Sequence, residues 1–405
     1  MQGTAAEGRG PVRYGPPAPE PGLPVLAELA AALAAGAPRT EPEPPGGGPE
    51  LREAARGYWL RRGLPTPADR IVAAPGAQPL LIALLGAYGG DVLMPRPCPA
   101  WWTPQARLLG RAVYHVPTPA ECGGVPDPYA LLETVRRVRA EGGDPRLLLL
   151  CVADDPTATV APPETVREAC EAAVDEGLHI ISDETWRDTV HRPHETVPLS
   201  PAEMCPEDVT VLCDLGGAFT PPGWPAAIAR FPGTEAAEPR RARTLDILAA
   251  LGAAVAAPVA AAATLALAEP APVVDRVRRA AALHARVAAA AHHAVLEAGA
   301  LARPPETGRH LYVDLGPFRT ALAARGVTDS MELEDYLTAR LAAPIPGGHR
   351  FDDDLGALRA RLSTGPLLGS TEDQRRASLA APDPLQLPHV RAALSRFGEV
   401  LGGLG

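Results

Sequence analysis

From residue 49 onward the chain alternates between two hydrophobic periods. Segments 49–62, 76–87, 104–109, 128–140 and 164–176 carry apolar residues at helical spacing. Between them lie short, nearly unbroken apolar runs at 70–74, 91–94, 112–116, 146–153, 179–182 and 209–213. The run Leu147-Leu148-Leu149-Leu150-Cys151-Val152 has no polar alternation, which predicts a strand covered on both faces. Strands that alternate with helices predict an α/β protein with a doubly wound, mainly parallel sheet. The pattern changes after residue 270. A long helix over 272–298, a strand at 311–315, further helices and a short run at 358–364 predict a smaller α+β domain. The expected division is therefore an N-terminal arm (1–50), a large α/β domain (51–270) and a small α+β domain (271–405). In the arm, residues 1–22 and 36–50 are dense in Pro and Gly, and a short helix is predicted between them. Pro49 and Glu50 suit the first turn of the helix that follows.

Composition adjusts this picture in three places. The 405 residues are 46% hydrophobic and 21% charged, as in a folded globular chain. The net charge of −10 argues against a nucleic-acid partner, because phosphate binding needs a basic face. Residues 1–20 have no apolar core of a secretory signal. The apolar stretch 248–268 is mostly Ala and holds Gly252 and Pro258, so a buried Ala-rich helix is expected rather than a membrane span. Six Cys are scattered without a Cys-x-x-Cys pair, and no His stands beside one at zinc-ligand spacing. Reduced thiols, no metal site and a cytoplasmic location are expected.

Ligands of doubly wound sheets sit beyond the carboxyl ends of the strands. Asp155, Asp183 and Asp214 each follow an apolar run and are expected there together. Packed carboxyls split their pKa values and could serve as acid and base, or could hold a hard cation such as magnesium.

Six segments, in order, resemble the class I/II aminotransferases of fold-type I: Gly48-Pro49-Glu50-Leu51-Arg52-Glu53-Ala54, Gly76-Ala77-Gln78, Asp155-Pro156-Thr157-Ala158, Ile181-Ser182-Asp183-Glu184-Thr185-Trp186, Pro222-Gly223-Trp224 and Arg361-Leu362-Ser363. The resemblance covers roughly residues 20–400 and implies pyridoxal phosphate as cofactor. It implies that Gly76, Ala77 and Gln78 receive the phosphate at a helix N-terminus. It implies that Asp183 pairs with the pyridine nitrogen, that Asp155 faces the phenolic oxygen and that Trp186 replaces a Tyr. Arg361 would grip the carboxylate of a small carboxylate or amino-acid ligand. A homodimer, or a heterodimer with a related subunit, is implied as well. On Arg361 a second reading stands beside this one, an ion pair with the acidic run Asp352-Asp353-Asp354.

Against that pattern stand several departures. The position of the Schiff-base lysine falls on Gly217, and all 38 basic residues of the chain are Arg. Arg keeps its proton and is no substitute nucleophile, and the nearest His in sequence, His191 and His194, lie on the preceding loop. The first Ser of the family's lysine segment becomes Asp214, and its phosphate-binding Arg becomes Pro225. A carboxylate about 4 Å from a phosphate costs on the order of 4 kcal/mol per unit charge at an effective dielectric of roughly 20. The aromatic that stacks on the ring falls on Pro99, with Trp101 and Trp102 as alternatives. Covalent attachment through Lys is excluded, and non-covalent retention is disfavoured. Three functions remain open: a weak transaminase with unattached cofactor, an enzyme using the Asp cluster and Arg361 for other chemistry, and a non-catalytic relative.

Overall fold

A computed structural model describes residues 22–119 and 122–405. The expectations for residues 1–21 lie outside the described residues. The main sheet has seven strands: β1 (Ile71–Ala74), β2 (Asp91–Arg96), β3 (Val113–Pro117), β4 (Pro145–Cys151), β5 (His179–Asp183), β6 (Val209–Asp214) and β7 (Ala227–Arg230). Their order is β1-β7-β6-β5-β4-β2-β3. Only β7 runs against its neighbours, β1 and β6; the remaining pairs are parallel. The strands predicted from apolar runs all form. β7 was not predicted: its four residues follow Pro225 in a segment with no helix–strand alternation, and only the sheet identifies it as a strand.

Strand β4 shows why an unbroken run was needed. Leu148, Leu150 and Val152 pack with Trp59, Leu131 and Val166 on one face. Leu147, Leu149 and Cys151 pack with Leu80, Leu81 and Leu84 on the other. Side chains alternate faces along a strand, so two-sided burial demands apolar residues at every step. All six are at most 2% exposed.

The stretch 248–268 is not one helix. It holds the end of Glu238–Ala250, a turn, and a second helix, Ala257–Ala268. The turn falls at Gly252, whose φ is +61°, ahead of Pro258 in the first turn of the second helix. The Ala content has a packing cause. The helix Ala27–Gly36 ends so close that a Cβ on Gly36 would stand 2.9 Å from the Ala261 Cβ. Among the described residues no single helix is long and apolar enough to cross a membrane.

The C-terminal part builds a second, antiparallel sheet, ordered β10-β9-β8: β8 (Leu301–Ala302), β9 (His310–Asp314) and β10 (Arg359–Ser363). Its core includes Leu311, Val313, Leu362, Val390 and Leu401, packed with the long helix Ala271–Glu297. The start of β9 and the interior of β10 carry His310 and Arg361 to Asp155, beyond the carboxyl end of β4.

Leu148→Ala is expected to lower unfolding free energy by about 2–5 kcal/mol, because the two-sided core cannot collapse into the space. Tyr129→Ala, at a side chain 80% exposed, should stay within about 0.5 kcal/mol. Urea unfolding of both variants measures the contrast.

Candidate functional site at the strand ends

Asp183 and Asp214 are the last residues of β5 and β6, and Asp155 lies four residues beyond β4. The topology thus brings all three to one end of the sheet, as expected. Their carboxylates do not converge on a common point, however, and each is tied to a different partner.

Asp214 turns back onto its own neighbourhood. Its Oδ2 accepts the Ala77 N–H at 2.7 Å, and its Oδ1 accepts the Gly216 N–H at 2.7 Å. Ala77 is the first residue of the helix Ala77–Tyr88, whose N-terminus presents unsatisfied N–H groups and positive dipole charge. The carboxylate is itself the anion at that helix end. Burial pushes the Asp214 carboxyl up, while the two N–H groups and Arg309 act in the opposite direction. Pro225 borders the same spot: a Cβ on Gly76 would lie 3.5 Å from its Cβ and 3.7 Å from Asp214 Oδ2. Gln78 is exposed.

Asp183 is 5% exposed and accepts from the Thr185 N–H at 3.0 Å and the Thr185 hydroxyl at 2.6 Å. The same hydroxyl accepts the Asp214 N–H at 3.1 Å and so links the two strand ends. Burial raises the Asp183 carboxyl to about 7 against these hydrogen bonds, helped by the charges of Asp214 and Asp155. Asp154, fully buried, is raised to about 7 for the same first reason, although Thr157 donates to it through both its N–H and its hydroxyl.

Asp155 takes the other course. Its Oδ1 accepts from Arg361 Nη1 at 2.7 Å and stands 3.6 Å from His310 Nε2. Burial works upward on Asp155, but Arg361 and His310 outweigh it and hold its pKa below the ordinary value. His310 is lowered to about 4, by burial first and by the neighbouring Arg361 and Arg309, and is neutral near pH 7. Arg361 is therefore ion-paired, but not with the run Asp352-Asp353-Asp354. That run has other partners: Asp353 pairs with Arg359, and Asp352 approaches His115. Trp186 packs edge-on to His310 at 5.4 Å between ring centroids, with the Arg309 guanidinium over its ring at 5.1 Å. Trp102 is 1% exposed in the core, and Trp101 stands edge-on to it at 6.4 Å. His191 bonds the Pro305 and Gly308 carbonyls, away from position 217.

Position 217 is closed. A Cβ on Gly217 would stand 2.2 Å from the Thr185 carbonyl oxygen, where no side chain fits. The crevice beside it, lined by Trp186, Phe219, Arg309 and Leu23, measures about 80 Å³. Ligand pockets measure roughly 300–1,000 Å³. A larger cavity of about 440 Å³ is lined by Arg96, Arg303 and Asp154, whose side chain is 0% exposed, with Oδ2 held by Thr157 and Oδ1 without a hydrogen bond.

Comparison with known proteins bears on what this arrangement descends from. The profile of aminotransferase class I and II matches residues 20–324. The chain belongs to this family. A probable aspartate/prephenate aminotransferase of Thermus aquaticus is 34% identical over 199 residues, 48% of this chain and 49% of that protein. An aspartate aminotransferase of Pyrococcus horikoshii is 23% identical over 185 residues, 45% of each. The chain thus spans about half the length of the curated relatives it matches. The solved aspartate aminotransferase from Thermus thermophilus with maleate superposes with a TM-score of 0.77 at 22% identity, over 95% of this chain and 90% of that one. An aromatic aminotransferase from Pyrococcus horikoshii gives 0.75 at 18% identity, over 96% and 94%. At these identities the structures share the fold.

The aminotransferase cofactor, pyridoxal phosphate, does not fit the residues present. Its aldehyde has no amine to meet, the helix end that the family resemblance gives to its phosphate already holds the Asp214 carboxylate, and a Cβ at 217 would collide with the Thr185 carbonyl. Sequence reasoning missed His310, Arg309, Thr185 and Asp154 in this aminotransferase fold. Asp154 was visible beside Asp155; the other three reach the strand ends only through the packing of β9 and the turn after β5.

The raised Asp183 carboxyl predicts a pH dependence. The folded state holds this proton more tightly than the unfolded chain, so the contribution is complete below about pH 4 and is lost as pH rises through 7. Asp183→Asn should remove a fall of up to about 1.4 kcal/mol per pH unit in that window. Urea unfolding across roughly pH 4 to 8 tests this, and an unchanged slope in the variant would exclude it.

Proposed function

We propose that this aminotransferase-family chain is a non-catalytic relative, in which side chains of the protein occupy the positions the family resemblance gives to cofactor and substrate. The observation that carries the reading is Asp214, whose carboxylate lies on the N-terminus of the helix Ala77–Tyr88. Arg361, the resemblance's substrate-carboxylate ligand, is neutralised by Asp155. Gly76, Ala77, Gln78, Asp183 and Trp186 keep the family's order in sequence, while Gly217 has lost both the amine and the room for one. The alternative of acid–base chemistry on the Asp cluster has less support: Asp183 and Asp154 are buried, and Asp155 is held by a guanidinium. A role through protein contacts, as one half of a homodimer or paired with a related subunit, follows from the family resemblance.

Purified chain mixed with pyridoxal phosphate is expected to keep no chromophore after desalting. Borohydride reduction should add no cofactor mass. Gly217→Lys alone should not restore an adduct and should cost about 1–3 kcal/mol of stability, since the Thr185 carbonyl must move. Stoichiometric retention of cofactor by the natural chain, followed by repeated amino transfer, would overturn the proposal.

A further inference from the structure

Away from the strand ends, three residues that no sequence spacing connects come together. Cys98 lies in the loop after β2, His115 lies in the edge strand β3, and Asp352 follows the short helical turn Gly348–Phe351. Asp352 Oδ2 stands 3.7 Å from Cys98 Sγ and 3.5 Å from His115 Nε2, and all three donor atoms lie within 4.8 Å of one another. Cys98 is 0% exposed, and the side chains of His115 and Asp352 are 14% and 12% exposed. His115 Nε2 is buried and makes no hydrogen bond.

We propose that Cys98, His115 and Asp352 form a binding site for a soft divalent cation, with zinc the best match. Three features of the geometry lead there. First, the same Asp352 oxygen faces both the sulfur and the imidazole nitrogen, so the donors converge on one point. A nucleophilic relay would instead place the carboxylate on the far nitrogen of the ring. Second, a tetrahedral zinc with sulfur at about 2.3 Å and nitrogen or oxygen at about 2.0–2.1 Å sets its ligand atoms roughly 3.3–3.6 Å apart. The separations of Asp352 Oδ2 from Cys98 Sγ and from His115 Nε2 are within a few tenths of an ångström of that. Third, one thiolate, one imidazole and one carboxylate select zinc over magnesium or calcium, which take oxygen donors.

The surroundings are consistent with such a site. The Thr103 hydroxyl interacts with both Cys98 and Asp352 and donates to Met94 Sδ at 3.6 Å. Asp352 sits at φ +55°, in the left-handed region, and the Phe351 carbonyl accepts the Cys98 N–H at 3.0 Å. The three ligands therefore join the turn leading to β10 to the edge of the seven-stranded sheet, and a bound ion would clamp one part of the chain to the other.

Cobalt(II) titration of the reduced full-length chain tests the site. One equivalent should bind and produce a near-ultraviolet thiolate-to-cobalt band, and added zinc should abolish it. Cys98→Ser should lose that band, and His115→Ala should lower zinc affinity at least about 100-fold. Zinc should raise the thermal midpoint of the natural chain and not that of either variant. Circular dichroism checks that the variants fold. If Cys98→Ser does not fold, Asp352→Asn, on the turn, replaces it and should weaken zinc binding while leaving the fold intact. No band in the natural chain, or an unchanged band in Cys98→Ser, would reduce the cluster to a buried thiol–carboxylate contact and overturn the proposal.

Discussion

The contact between the Asp214 carboxylate and the N-terminus of the helix Ala77–Tyr88 organises this end of the molecule. A helix end in a doubly wound sheet exposes N–H groups and partial positive charge at the mouth of the crevice, and something anionic must answer them. Here the answer is covalently part of the chain. Because Asp214 ends β6, its carboxylate can reach Ala77 on one side and Gly216 on the other. That double contact pins the loop 214–220 inward. It leaves Gly217 against the Thr185 carbonyl, and Thr185 in turn bonds Asp183.

The same economy extends to the second sheet. Arg361 on β10 and His310 on β9 both approach Asp155, so an ion pair joins the second sheet to the strand ends of the first. A buried pair of this kind does not greatly stabilise a fold, since desolvation consumes most of the attraction. It does define which partner each charge has. Through its Nη1, Arg361 is committed to Asp155. Burial pushes the Asp183 and Asp154 carboxyls up to about 7. The site is polar yet closed upon itself.

Much of this was legible in the chain. Two-sided burial made Leu147 to Val152 a central strand, and short apolar runs marked β1 to β6. The absence of Lys needed no structure at all, and the strand-end positions of Asp155, Asp183 and Asp214 followed from the layout of apolar runs. Less was legible where local pattern and packing part company. β7 is four residues long and counts as a strand only because β1 and β6 lie on either side of it. The stretch 248–268 looked continuous, but a left-handed Gly252 breaks it into separate helices.

The sequence alone decided the available chemistry: no side-chain amine, a carboxylate at 214, and an α/β sheet with acids at its strand ends. The tertiary structure decided which groups meet. Arg361 pairs with Asp155 rather than with the acidic run seven to nine residues away, and Cys98, His115 and Asp352 converge from three separate elements. The reason is physical. Hydrophobic period and residue type are local properties, readable along a line, whereas a partner across 206 residues is chosen by how two sheets pack, and no spacing in the chain encodes that distance.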